Sequence, residues 1–384
     1  MVFSRQLRER TMRGFLTQLG FLTLSYSHFF NEAHGQVKTP SFSKVEHMNT
    51  FWKTSLYWNA LFEPSNGVSF SLNTSEMAQR ASGYVPTFNT NKSFDQKKAR
   101  FFIDKTTCIV DEGHRHTSGT IGHFSRRILP WYSIETFQGD FCDRFFLTRT
   151  PREPLSQWFS FMITAALGVG RDIKYTGDVK EHTLFEKVKI NFRTYWFRNS
   201  FEATHFQAKA FSLLHPSQRR GGICLFTRRN GRNPLNMANV REALHDLFGS
   251  LIDVSVDQQT PVADQVFSFS QCDLLVSPHG SHNTNVMFMR AGSAFMELNP
   301  FMFYHNTYHQ LATLMNVTYL NSRNNFPQNV TRLREWQNFT DVQCQRVKKC
   351  RMSARSTRYY VNIRDMIRTI QSHINSRLGN TAEP

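Results

Sequence analysis

The feature that most constrains the fold is a regular alternation of strand-like and helix-like segments between Gly222 and Leu320. Short apolar runs bounded by turn residues predict strands over 222–227, 251–256, 273–276, 294–298 and 317–320. Amphipathic segments between them predict helices over 239–248, 262–269, 283–289 and 308–315. Strands that alternate with helices form a parallel sheet covered on both faces, so this segment is predicted to be a Rossmann-like α/β domain.

The remainder of the chain carries weaker signals, although its 384 residues are enough for two domains. We assign 31–100 to a stem and an irregular N-terminal region, because Ser, Asn, Thr and Phe occur there without sustained periodicity. Residues 101–216 are expected to form a second α/β domain. Its predicted strands are 101–103, 108–110 and 145–148, and its predicted helices are 156–167 and 185–197.

The C-terminal segment, 326–384, is a basic tail. The chain has a net charge of +17, and 12 Lys and Arg stand against 4 Asp and Glu from Arg323 onward. This charge predicts an acidic partner, which is nucleic acid, a membrane surface or a phosphorylated small molecule. The densest cluster, 346–351, is expected to be a solvated charged face, and 359–374 is predicted to be a helix.

The N-terminus has the order of a secretory signal, because four arginines among the first 13 residues precede the uncharged stretch 14–30. Polar residues dilute that stretch below the roughly 20 mainly apolar residues of a comfortable membrane span. A signal anchor, a cleaved signal and a soluble amphipathic helix all fit residues 1–30. Membrane anchoring through residues 14–30 is therefore one expectation.

Glycosylation sequons favour entry into the secretory pathway. Five Asn-x-Ser/Thr sequons are present, at Asn73, Asn91, Asn316, Asn329 and Asn338. The last three require an exposed surface if they carry glycans. We expect a protein of the endoplasmic reticulum or Golgi lumen, with type II membrane topology if the leader is retained.

The six cysteines permit disulfides. Candidate pairs are Cys108 with Cys142 and Cys344 with Cys350. Two other cysteines, Cys224 and Cys272, lie in apolar strand-like runs and are expected to be buried. No Cys and His spacing in the sequence indicates a metal site.

Polar side chains follow the predicted strands of the Rossmann-like domain. Parallel sheets bind ligands beyond the carboxyl ends of their strands, where loops and helix N-termini present amides to anions. Arg228, Arg229 and Arg232 come just after the first of these strands, and guanidinium groups suit the paired oxygens of a diphosphate. A single loop arginine is commonly just solvated. Three arginines together at the end of a strand favour a phosphate site.

Two further strand ends carry candidate residues. The tripeptide His279-Gly280-Ser281 lies between a strand and a helix, where small residues let backbone amides approach a phosphate. A tight turn with a capping serine is the alternative. Glu297 ends an apolar strand, where a carboxylate either accepts hydrogen bonds from ribose hydroxyls or pairs with Arg290.

Three stretches in this order resemble glycosyltransferase family 61, which includes the O-mannose and extracellular O-linked N-acetylglucosaminyltransferases and plant xylosyl- and arabinosyltransferases. The stretches are Leu225–Asn236, Asp273–Asn285 and Phe288–Pro300. The family pattern has a strand-end arginine, a turn, a helix position and an acidic strand end, matched here by Arg228, His279 with Gly280, Asn285 and Glu297. Mild departures from that pattern occur at Ser281-His282 and Arg290-Ala291.

The resemblance implies a GT-B type α/β fold, with two Rossmann-like domains that face a cleft. A nucleotide-sugar donor is expected on the C-terminal domain, 217–325, and the acceptor on 101–216, with a C-terminal helix that crosses back to the first domain. The resemblance also implies inversion at the anomeric carbon without a metal or another cofactor. Inversion needs a base for the acceptor hydroxyl and groups that stabilise the departing diphosphate.

The stretch Thr120–Trp131 resembles the N-domain segment of the family, in which an acidic residue commonly follows a histidine by four positions. That position is Arg127 in this chain. We take His123 as the base, because imidazole titrates near neutrality. The alternative is a histidine packed in the core.

Three functions follow from these observations. The first is an inverting glycosyltransferase that moves a sugar from a UDP donor to a hydroxyl of a glycan or glycoprotein. The second, kept open by Arg127, is a catalytically inactive relative that binds a nucleotide sugar or a glycan. The third is a nucleic-acid-binding protein, suggested by a pI near 9.9. The sequence has no helix-turn-helix, zinc-finger or RNP signature, and we expect no nucleic-acid partner.

Overall fold

A computed structural model describes most of the chain from residue 54 onward. The described residues are 54–63, 69–72, 88–89, 101–110, 120–147, 156–175, 183–191, 196–214, 221–228, 233–257, 259–322, 325–329 and 331–379. Several predictions lie outside these residues, namely the leader 1–30, the sequons at Asn73 and Asn91, and the arginines Arg229 and Arg232.

The first half contains a seven-stranded mixed sheet. Its strands are β1 (Thr54–Glu63), β2 (Ser69–Leu72), β3 (Phe88–Asn89), β4 (Phe101–Val110), β5 (Arg144–Leu147), β6 (Asp172–Tyr175) and β7 (Thr183–Asn191). The strand order is β3-β2-β1-β7-β4-β5-β6. Strands β7, β4, β5 and β6 are parallel, and β1 runs antiparallel to β7 and β2. The helices of this half are α1 (Ile121–Gln138), α2 (Ser156–Leu167) and α3 (Ser200–Leu214).

Two predictions for this half are wrong. The helix expected over 185–197 is a strand over 185–191, which belong to β7, because Leu184, Val188 and Ile190 recur at the even spacing of a strand. Residues 192–195 lie outside the described residues. The irregular region expected within 31–100 contains β1, in which Tyr57 lies opposite Val188. A strand whose partner is so distant in the sequence leaves little local signal. The strands predicted at 101–103 and 108–110 are one continuous strand, β4.

The second half is built on a five-stranded parallel sheet. Its strands are β8 (Gly222–Phe226), β9 (Ile252–Val254), β10 (Cys272–Pro278), β11 (Ala294–Leu298) and β12 (Thr318–Ser322), in the order β12-β11-β10-β8-β9. They alternate with α4 (Met237–Phe248), α5 (Val262–Ser270), a 3-10 helix (Ser281–Phe288) and α6 (Thr307–Leu314). The prediction of a Rossmann-like α/β unit is confirmed, with a 3-10 helix in place of the α-helix expected at 283–289.

This strand order places a crevice between β8 and β10. The chain leaves β8 for β9 on one side and then returns to β10 on the other side of β8. Connections that diverge in this way open a crevice at the carboxyl ends of the two strands, where ligands of doubly wound sheets bind. Arg228 follows β8 and His279 follows β10, so both stand at this edge.

The two halves are joined by one apolar cluster. The 3-10 helix lies at the centre of the junction. Its Phe288 ring packs edge-on to Trp158 at a centroid distance of 6.1 Å, and Gln207 Nε2 donates to Met287 O at 2.7 Å. The first half is therefore held directly against the element that follows the crevice.

The C-terminal segment adds the short strands β13 (Phe326–Pro327) and β14 (Tyr359–Tyr360) and a second 3-10 helix (Thr331–Trp336). Its helices are α7 (Asp341–Arg346), α8 (Lys348–Ser356) and α9 (Ile363–Gly379). The predicted helix 359–374 starts later than expected, because 359–360 pair with β13. Met366, Ile370 and Ile374 of α9 pack against the five-stranded sheet, so the expectation that this helix crosses back to the first half is wrong.

Three disulfides are present among the described cysteines. Cys108–Cys142 and Cys344–Cys350 are the predicted pairs. The cysteines expected only to be buried, Cys224 and Cys272, are fully buried and also bonded to each other. This third disulfide joins β8 to β10, the two strands that flank the crevice. None of the helices in the described part of the chain is long and apolar enough to cross a membrane.

Candidate functional site

The Arg228 side chain bridges the carboxyl ends of β8 and β10. Its Nη1 donates a hydrogen bond to His279 O at 2.8 Å, and its own backbone N–H donates to Asn233 Oδ1 at 2.9 Å. Gly280 makes room for this bridge, because a Cβ at that position would lie 2.2 Å from Arg228 Nη1. Since the φ of Gly280 is 175°, it is the guanidinium and not the backbone conformation that requires glycine.

The His279 imidazole is hydrogen-bonded to the buried carboxylate of Glu297. Its Nδ1 lies 2.8 Å from Glu297 Oε1, and Glu297 is fully buried. Tyr319 donates its hydroxyl to Glu297 Oε2 at 2.6 Å, and Asn283 Nδ2 donates to Oε1 at 3.2 Å. Because a carboxylate only accepts, Nδ1 of His279 carries a hydrogen and fixes the ring orientation. Burial, and then the Glu297 carboxylate, raise the pKa of Tyr319, so its hydroxyl stays a donor.

These contacts show how Glu297 is held. Both of its oxygens have hydrogen-bond partners within the protein, and its side chain is fully buried. The carboxylate acts on the site through His279. The apolar strand that ends at Glu297 was the sequence signal, and its partner Tyr319 lies on β12, where no sequence pattern marked it.

The 3-10 helix behind the turn is fixed by polar contacts. Ser277 Oγ lies 2.9 Å from His282 Nε2, and the His282 ring stacks on Phe226 at 3.9 Å. Asn285 is fully buried, where its Nδ2 donates to Gln265 Oε1 at 3.2 Å and to His282 O at 3.1 Å. Ser281 is partly exposed at the start of the helix, and no side chain caps that helix end. Asn285 therefore supports the turn from inside the protein, while Ser281 borders the crevice.

The first turn of α1 lies against the other side of this region. A Cβ at Gly122 would come within 2.8 Å of Thr284 Oγ1 and 3.5 Å of Tyr308 Oη. The Tyr308 ring in turn lies 5.5 Å from that of His279. The residue after Gly122, His123, is thus carried on the element of the first half that meets the crevice.

His123 is exposed, so the packed core histidine considered as an alternative is wrong. Partial desolvation lowers the pKa of His123, and the positive charges of Arg126, Arg127 and Arg355 lower it further. The imidazole is therefore neutral at neutral pH and can accept a proton. Arg127, which stands where the family pattern has an acid, acts on this ring as a nearby cation.

Sequence reasoning missed several cations near the crevice. Burial, and then the charges of His279, Arg126 and Arg351, lower the pKa of His305 to about 4. Arg355 is close enough for its charge to lower the pKa of both His123 and Arg228. Positive charge thus converges here from both halves and from the C-terminal segment. The positive charge of the C-terminal segment was visible in the sequence as a basic tail. Its arginines at 351 and 355 are half-buried in the structure rather than fully solvated.

The structure brings some predicted site residues together and separates others. Arg228, His279 and Gly280 are in contact, with Ser281 beside them. Asn285 and Glu297 lie buried behind them. Arg232 lies outside the described residues. No group of three His, Cys, Asp or Glu in the described part of the chain is arranged to hold a metal ion.

Comparisons with known proteins give the family. No curated protein sequence matches the chain. The sequence profile described as Glycosyltransferase 61 matches residues 26–296, which is more than half of the chain and includes the first strand-end arginine, the turn at His279 and most of β11. The chain therefore belongs to glycosyltransferase family 61.

Proposed function

We propose that this glycosyltransferase transfers a sugar from a UDP donor to a hydroxyl of a glycan or glycoprotein, with inversion at the anomeric carbon. The observation that carries the proposal is the bridge from Arg228 to His279 O across the crevice between β8 and β10, made possible by Gly280. A cation fixed at that edge is suited to the charge that develops on a departing diphosphate.

In this proposal the donor diphosphate lies over the turn. Arg228, Gly280 and Ser281 contact it, with Arg232 supplied by the same loop as Arg228. His279 presents its second ring nitrogen, since Nδ1 is occupied by Glu297. Asn285 and Glu297 position the turn and do not touch the donor. No metal or other cofactor enters the proposal, because protein cations supply the charge.

His123 is the proposed base. Its lowered pKa keeps it unprotonated at neutral pH, as deprotonation of an acceptor hydroxyl requires. Its helix also packs through the adjacent Gly122 against Thr284 and Tyr308 of the second half, which supports a position of His123 between the donor and an acceptor bound on the first half. This arrangement fits a GT-B architecture in which two Rossmann-like domains share the reaction.

A catalytically inactive relative is the second candidate function. It is favoured by Arg127, which replaces the acid of the family pattern and adds positive charge near His123. Such a protein would keep the donor site and bind a nucleotide sugar or glycan without turnover. The two candidates therefore share nucleotide binding and differ only in catalysis.

We further propose that the protein works in the lumen of the endoplasmic reticulum or Golgi, anchored through residues 14–30 as a type II membrane protein. Three disulfides support an oxidising compartment. The sequon residues Asn316, Asn329 and Asn338 are all exposed, as attached glycans require. Glycosidase-sensitive mobility of the protein expressed in cells would test the lumenal location.

Thermal unfolding with nucleotides tests donor binding. UDP or a UDP-sugar at 100 times its dissociation constant should stabilise the fold by about 2.7 kcal/mol and raise Tm, whereas uridine, which lacks phosphate, should have a much smaller effect. GDP and its sugars serve as the comparison. If no nucleotide raises Tm, the proposed function is wrong.

Transfer assays then separate the two candidates. A panel of UDP-sugars should yield donor hydrolysis or transfer by the wild type, and His123→Ala should abolish it while UDP still raises Tm. Unchanged turnover by His123→Ala would remove that residue as the base. Nucleotide binding without any turnover would instead favour the inactive relative.

A further inference from the structure

The C-terminal segment contains a short helical hairpin made of α7 and α8, residues 341–356. The Cys344–Cys350 disulfide closes it, and Thr340 caps its first helix through a reciprocal contact with Gln343. The hairpin lies beyond residue 296, where the match to the family profile ends. It is therefore an addition to the part of the chain that shows the family.

The hairpin packs directly on the wall of the candidate site. Both cysteines and Ala354 are buried together with Phe303 of the loop that follows β11. Phe303 contacts the His279 ring edge-on at a centroid distance of 4.7 Å. The cluster that contains the disulfide thus reaches, through Phe303, the turn between β10 and the 3-10 helix.

Two arginines on α8, Arg351 and Arg355, are partly buried. Arg351 is fixed by a hydrogen bond from its Nη1 to Gln345 O at 2.7 Å within the hairpin, and its charge reaches His305. Arg355 lies one turn further along and its charge reaches both Arg228 and His123. Helical residues four apart share a face, so both arginines lie on one side of α8, next to the buried face that carries Cys350 and Ala354.

Arg355 is half-buried and makes no ion pair with any acid that the structure describes. A half-buried cation held near a second guanidinium is unfavourable until an anion lies between them. The two lysines at 348–349, on the same helix, are exposed and show the contrasting case of solvated charges.

We propose that this disulfide-closed hairpin completes the donor site, with Arg355 binding the diphosphate of the nucleotide together with Arg228, and Arg351 placed beside it. This inference rests on the proposed donor binding and names the residues that serve it from outside the family-matching region. It also makes donor affinity dependent on the Cys344–Cys350 disulfide, because that bond fixes the helix that carries both arginines.

Calorimetric titration of the whole lumenal chain with UDP tests the proposal. Arg355→Gln should raise the Kd for UDP by about tenfold or more, which is the loss of affinity expected when one charge-assisted hydrogen bond is removed. Lys349→Gln removes the same charge from the same helix and should leave Kd within about twofold. Uridine should bind both variants equally, since it lacks the phosphates that Arg355 contacts.

A paired Cys344→Ser and Cys350→Ser variant tests the role of the disulfide, with near-ultraviolet circular dichroism to verify the fold. It should weaken UDP binding several-fold in the native state. UDP binding by Arg355→Gln equal to that of the wild type would overturn the hairpin inference and leave the proposed function standing. Absence of UDP binding to the wild type itself would overturn both.

Discussion

The substitution Gly280→Ala probes the donor site with the smallest possible change. An alanine Cβ would lie 2.2 Å from Arg228 Nη1 and within 2.7 Å of the His282 ring nitrogen Nδ1, both far closer than van der Waals contact. The His282 ring is stacked on Phe226, so we expect the guanidinium to move instead. One added methyl group therefore removes the Arg228 bridge while the guanidinium remains in the chain.

A displaced Arg228 guanidinium can no longer contact the diphosphate of UDP, and the loss of that contact sets the size of the effect on Kd. A hydrogen bond to a charged group contributes about 1.5–3 kcal/mol, which corresponds to roughly 10- to 150-fold in Kd. Calorimetry with UDP should give a loss in that range for Gly280→Ala. Arg228→Gln should give a similar loss, and the double variant should lose little more than either single variant, because both remove the same contact.

The reasoning is refuted if the losses of the two single variants add in the double variant. It is also refuted if Gly280→Ala binds UDP within about twofold of the wild type. Urea unfolding of each variant controls for global destabilisation, since a variant that has lost its fold would show no cooperative transition.

Three further predictions concern protons and buried charge. Burial raises the pKa of Asp273 to about 6, so between about pH 4 and 6 the folded state binds a proton that the unfolded state does not, and above that range the folded state is less stable. Asp273→Asn should therefore raise the free energy of unfolding by about 3 kcal/mol at pH 7.5 and leave it unchanged below pH 4, as measured by urea unfolding. The lowered pKa of His123 should place the acid limb of kcat/KM below pH 6.5, and an inflection at pH 7 or above would contradict its role as base. Glu297→Gln should lower kcat and reduce the free energy of unfolding by about 1–3 kcal/mol, because the single oxygen of an amide cannot replace both carboxylate oxygens as acceptors for His279 and Tyr319. A kcat equal to that of the wild type would show that turnover does not depend on the orientation of His279.

The second half was predictable because its signals are local. Each strand is a short apolar run, and Gly249 ends α4 where the helix was expected to end. Strand-end residues fall at one edge of any parallel sheet, so Arg228 and the turn at His279 could be assigned to one site from the sequence. Even here, the burial of Glu297 and Asn285 was not visible, because it depends on partners from other strands and helices.

The first half was harder to predict because its contacts are remote in sequence. Helix α1 contains Pro130, which speaks against a helix in a local pattern, and its first turn packs through Gly122 on Thr284 of the second half, more than 150 residues away in the sequence. The partial burial of Arg351 and Arg355 in the basic tail was missed for the same reason. The sequence predicted only a solvated charged face over 346–351, because nothing local shows that Cys344, Cys350 and Ala354 are buried in one cluster with Phe303.

A crystal structure of the protein with UDP is the most direct test of the proposed donor site. The account predicts the diphosphate in the crevice between β8 and β10, within hydrogen-bond distance of the Arg228 guanidinium and over the Gly280 backbone, with Arg355 on its other side. A diphosphate bound elsewhere, or one in the crevice that makes no hydrogen bond with the Arg228 guanidinium, would overturn the proposed donor site.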